Sequence, residues 1–111
     1  GSTRWLDTAG LPLGVVIDKP KRYQETTFSL VPGDMIIMVS DGVIEVNNNS
    51  SQMLGFDRFE SVVQAGPNSS AGAMMDHLKR KINAFVGTAE PHDDLTLVII
   101  RCLKKKAAPL D

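Results

Sequence analysis

Cysteine is almost absent from the chain. Cys102 stands alone, which excludes an internal disulfide and a zinc site built on cysteines. An excess of one charge is absent as well. Twelve Lys and Arg face 13 Asp and Glu, for a net charge of −1, so the basic footprint of a nucleic-acid-binding domain is missing. No apolar run approaches the ~20 residues that span a bilayer. The opening Gly1-Ser2-Thr3-Arg4 lacks the apolar stretch of a signal peptide, and a cytoplasmic location is the expectation. Histidine is scarce: only His77 and His92 occur, and no Ser/His/Asp spacing fits a hydrolase triad. What is present is 111 residues, 42% hydrophobic and 23% charged. That composition fits one small globular domain.

The chain reads as strands, then helices, then a strand. Gly1-Ser2 has the look of a cloning scar, and residues 104–111 that of a frayed tail. Leu13 to Ile17 is a short apolar run that predicts a strand, followed by a polar, proline-containing turn. Tyr23 to Leu30 alternates with period two and predicts a half-buried strand. Val31-Pro32-Gly33-Asp34 carries the residues of a tight turn, so the next strand is expected to run back beside it. That strand, Met35 to Val39, is apolar throughout and predicts cover on both faces.

Asn47 to Ser51 reads as a mobile polar loop. Asp57 to Ala65 predicts a short helix. A longer helix is expected from a serine cap at Ser69 or Ser70 to about Val86, with Gly87 closing it. Its apolar stripe is Met74, Leu78, Ile82, Phe85 and Val86. Leu95 to Leu103 predicts a second strongly apolar strand. The expected fold class is α+β, an antiparallel sheet with two helices on one face.

Two acidic positions carry the candidate chemistry. Asp41 ends one apolar strand and is followed by Gly42, while Asp93 and Asp94 begin the other. If the two strands are antiparallel neighbours, Asp41 and Asp93 converge on one edge of the sheet. Converging carboxylates repel unless a cation or a proton lies between them. Oxygen ligands without cysteine suit a hard cation, Mg²⁺ or Mn²⁺, and Gly42 would let the backbone turn close to it. An ordinary Asp-Gly turn and an ordinary strand-start cap satisfy the same spacing, so at this level both readings stand. His77 reads as structural, His92 as structural or as a partner to a ligand. Cys102 reads as a small hydrophobe within its strand.

Five segments in order carry a family resemblance: Gly10-Leu11-Pro12-Leu13-Gly14, Leu30-Val31-Pro32-Gly33-Asp34, Ser40-Asp41-Gly42-Val43-Ile44-Glu45, Leu54-Gly55-Phe56-Asp57-Arg58-Phe59 and Asp93-Asp94-Leu95-Thr96-Leu97. Together they resemble the C-terminal half of a SpoIIE-type domain, within the PPM (type 2C-like, metal-dependent) Ser/Thr protein phosphatases. The resemblance implies an αββα sandwich, with two antiparallel sheets and helices outside. It implies that Asp41 and Asp93 are metal ligands, with Gly42 and Asp94 supporting them. The implied reaction is hydrolysis of phosphoserine or phosphothreonine with a pair of Mg²⁺ or Mn²⁺ ions. The implied partner is a phosphorylated anti-sigma-factor antagonist, a STAS-domain protein of bacterial signalling, and a sensor or receiver domain is implied upstream.

The family's other metal motif, an acidic residue and later Asp-Gly-x-Gly-His-Gly, does not occur in these residues. The expectation is therefore that residues 3–103 hold at most one cation, show no turnover alone, and cover open sheet surface by dimerising or exchanging elements. A non-catalytic, phosphatase-derived module that binds a regulatory partner is the alternative function.

Overall fold

The computed structural model describes residues 2–6, 24–89 and 94–105. The segment expected as a strand at Leu13 to Ile17, the turn after it, and the residues His92 and Asp93 lie outside the described residues. Among the described residues the order is β1 (Met35–Val39), α1 (Asp41–Ile44), α2 (Gly55–Gln64), α3 (Ala71–Val86) and β2 (Leu97–Arg101). This is an α+β fold with a two-stranded sheet, and β1 and β2 pair antiparallel from Met35↔Arg101 to Val39↔Leu97.

The pleat sorts the sheet's side chains. Met35, Ile37, Val39, Leu97 and Ile99 pack against a buried cluster of Val43, Ile44, Val46, Leu54, Phe59, Met74, Leu78 and Ile82. Successive strand residues point to opposite faces, so Ile36, Met38, Val98 and Ile100 share the other face. Among the described residues that face is open: Met38 is 48% exposed, Val98 42% and Ile100 46%. The expectation that β1 is covered on both sides is thus corrected. An all-apolar strand records that both faces favour burial, but it does not record what lies against each face.

The helices follow local signals. Ser70 has extended backbone, and its Oγ accepts from the Ala73 amide at 3.0 Å, which caps α3. Gly87 ends α3 at φ +62°, with its amide donating to the Asn83 carbonyl at 3.0 Å. Met74, Leu78 and Ile82 recur every fourth residue, so they lie on one side of α3, and all three are buried. His77 is buried beside them, and its Nε2 donates to the Val62 carbonyl of α2 at 2.8 Å. A carbonyl only accepts, so the proton sits on Nε2, and the ring is a strut between the helices. The link between α2 and α3 is tight: a Cβ on Gly66 would lie 2.7 Å from Met74 Sδ and 2.9 Å from His77 Cδ2.

Two further expectations change. Residues 24–30 are exposed and form no strand. The turn after them does close, with the Asp34 amide on the Val31 carbonyl at 3.0 Å and Gly33 at φ +96°, but β1 pairs with the distant β2. Alternation makes a segment able to join a sheet without supplying a partner. The loop 47–53 is hydrogen-bonded rather than loose. Asn48 Oδ1 accepts from the Ser50 and Gln52 amides, both at 2.9 Å, and Thr88 Oγ1 donates to Asn49 Oδ1 at 3.1 Å. Asparagine side chains serve the backbone in tight turns.

The N-terminal residues lie on α2. The Trp5 ring meets Phe56 edge-on, with centroids 5.1 Å apart. The Glu60 carboxylate accepts from Thr3 Oγ1 and Trp5 Nε1. These bonds, that from Thr3 foremost, hold its pKa below the usual carboxylate value. A lowered pKa stabilises the docked form above the unfolded pKa, and that contribution is lost as pH falls through the folded value. Acidification is therefore expected to release Trp5, the sole tryptophan, giving a red-shifted fluorescence. In Glu60→Gln the release should lose its pH dependence while the wild type keeps it.

Candidate metal centre

β1 ends at Val39, and α1 begins two residues later at Asp41. Because β1 and β2 are antiparallel, the end of the first strand faces the residues that lead into the second. Ser40 makes this contact with the segment 94–96. Its amide donates to the Thr96 carbonyl at 3.0 Å, its Oγ accepts from the Thr96 amide at 3.0 Å, and its Oγ donates to the Asp94 carbonyl at 3.4 Å. Asp41 and the backbone of Asp94 therefore belong to one rim of the sheet. Asp93 precedes Asp94 in the chain and lies outside the described residues.

The Asp41 side chain is exposed at this rim. Its carbonyl accepts from the Glu45 amide at 2.9 Å, so the segment after the strand is a helical turn, not the open Asp-Gly turn that the dipeptide suggests. Gly42 is buried within α1 and is not among the glycines with positive φ. Its conformational freedom is not used. Hydrophobic anchoring is what holds the turn: Val43 is fully buried, and Ile44 nearly so.

The donors at the rim are carboxylate and carbonyl oxygens, which fit a hard cation. The one thiol is elsewhere. Cys102 is half-buried at the opposite end of β2, with its backbone bonded to Gly33 and Asp34. Asp34 also lies at that end, where its Oδ2 accepts from the Val31 amide at 3.0 Å. Among the described residues no group of three or more His, Cys, Asp or Glu side chains gathers as a metal cage. A cation at this rim would need ligands beyond Asp41. A shallow groove of about 460 Å³ runs between α2 and α3, floored by Leu54, Phe59, Ile82 and Phe85. The Arg58 guanidinium lies over the Phe85 ring at 5.3 Å, and no expected site residue lines the groove.

Ser40 stands in the segment that carries the resemblance, but no role of its own was expected for it. The available signal was a serine between an apolar strand and an Asp-Gly pair, since serine hydroxyls compete for nearby backbone groups.

An antiparallel two-stranded sheet with helices on one face is consistent with part of a PPM-type phosphatase domain. The family model of Stage II sporulation protein E (SpoIIE) matches residues 1–103, and the chain belongs to this family. The family is generally metal-dependent. No curated protein and no solved structure gives a significant match. No helix among the described residues is long and apolar enough to cross a membrane.

Proposed function

We propose that the chain is part of a metal-dependent protein phosphatase that hydrolyses phosphoserine or phosphothreonine on a phosphorylated regulatory protein. An anti-sigma-factor antagonist of the STAS class is the proposed substrate. The observation that carries this reading is the antiparallel pairing of β1 and β2 in a SpoIIE-family chain, which brings the end carrying Asp41 to the start carrying Asp94. Asp41 and Asp93 are the proposed metal ligands, and Asp94 supports them. When bound, a pair of Mg²⁺ or Mn²⁺ ions supplies an acidified water and offsets charge on the phosphoryl oxygens.

The chain's own part is to hold the carboxylates. Exposure at the rim leaves the Asp41 side chain accessible to a cation and to a phosphoprotein surface. Two carboxylates bind one hard cation weakly, because Mg²⁺ keeps most of its water when offered few ligands. Turnover therefore requires further carboxylates beyond this pair. The test is phosphate release from a phosphoserine STAS-domain protein by the full-length protein, with Mn²⁺ present and then with a chelator. Release that depends on Mn²⁺ is expected. Release unchanged by the chelator would overturn the metal-dependent reading.

A further inference from the structure

We infer that Ser40 is a positioning residue for this rim, a role that rests on the metal-centre reading above. The inference starts from a substitution of acceptors within the β ladder. In an antiparallel sheet, every second opposed pair exchanges two backbone hydrogen bonds. The ladder continues one pair beyond Val39↔Leu97, to Ser40 and Thr96. The first bond of that pair is regular, Ser40 amide to Thr96 carbonyl at 3.0 Å. The second should run from the Thr96 amide to the Ser40 carbonyl.

That carbonyl instead accepts from the Val43 amide at 3.1 Å as the chain turns into α1. The Thr96 amide goes instead to Ser40 Oγ at 3.0 Å. The hydroxyl stands in for the carbonyl of its own residue. It then spends its single proton on the Asp94 carbonyl at 3.4 Å.

One side chain thus lets a helix begin directly after the strand while the facing chain stays paired as far as Asp94. Ser40 adjoins Asp41 in sequence and holds Asp94 through space. It thereby ties Asp41 to the backbone of Asp94 without itself meeting a cation. Alanine cannot accept or donate here, whereas threonine keeps the hydroxyl.

The experiment compares Ser40→Ala, Ser40→Thr and Asp41→Asn with the wild-type chain. Mn²⁺ binding is read from the free-ion paramagnetic resonance signal, and amide exchange is read at Thr96. In Ser40→Ala, Mn²⁺ affinity should fall about tenfold, as when a ligand loses its supporting partner. Thr96 exchange should rise about tenfold with the lost hydrogen bond. Ser40→Thr should restore both. If Ser40→Ala binds Mn²⁺ like the wild type while Asp41→Asn does not, the positioning role is wrong and the metal reading stands. If Asp41→Asn also binds like the wild type, both fall. Loss in Ser40→Ala that threonine fails to restore also overturns the role, because the hydroxyl is then not what matters. Should Ser40→Ala unfold, Ser40→Cys replaces it, since that side chain keeps the size with only a weakly bonding sulfur.

Discussion

Asp41→Asn is expected to weaken Mn²⁺ binding by more than ~100-fold, beyond the loss seen when only a supporting group is removed. In the full-length protein, Mn²⁺-dependent phosphate release should fall at least as far. Asparagine has the shape of aspartate but neither its charge nor its second strong oxygen donor. The fold should hardly respond. The Asp41 side chain is exposed, and such surface substitutions usually shift stability by no more than about 0.5 kcal/mol. The Asp41 carbonyl, which carries the bond to the Glu45 amide, is unchanged by the substitution. Melting temperature and Mn²⁺ affinity measured on the same sample therefore separate a ligand from a structural residue. An unchanged affinity would remove Asp41 from the metal centre.

Leu78→Ala should give the largest loss of stability. Leu78 is fully buried at the middle of the α3 stripe, in one cluster with Met74, Ile82 and Val43. Truncating a buried leucine removes its transfer free energy and leaves a cavity, together about 2–5 kcal/mol. For a domain of this size each kcal/mol corresponds to roughly 4–8 °C in Tm, so thermal denaturation should show a fall of about 8 °C or more. Lys79, the next residue, is exposed, and Lys79→Ala should leave Tm almost unchanged. Equal effects at the two positions would mean that α3 does not present this face to the core.

Local chemistry made much of the fold legible. β1 was readable from five consecutive apolar residues, and α3 from Ser70 at one end, Gly87 at the other, and apolar residues every fourth position between. Those signals act within a turn or two of the chain. The failures are at positions decided by distant partners. Residues 24–30 alternate like a strand yet lie exposed, since alternation cannot state whether an edge is available. Asp41-Gly42 has the composition of a turn, but burial of Val43 and Ile44 winds it into a helix. At the candidate site, strand direction brought Asp41 to the end where β2 begins, while Asp93, the partner expected there, lies outside the described residues. The clasp did not follow from strand direction alone, because it takes the Ser40 carbonyl bonded to the Val43 amide within the turn and the Ser40 Oγ bonded to a distant amide. The Thr96 amide that bonds this hydroxyl is brought there by the antiparallel approach of β2.

The arrival of β2 also bears on the order of folding. β1 and β2 are neighbours in space but are separated in sequence by about half the chain, which contains α2 and α3. Closing so large a loop before other contacts form carries an entropic penalty, and contacts between sequence-distant residues slow folding. The helical hairpin can assemble early from nearby residues, and zippering of the two strands comes late. A cation that engages the rim would then bind only the finished chain, so its affinity would report on completion of the last step and it would act as a latch on the native state.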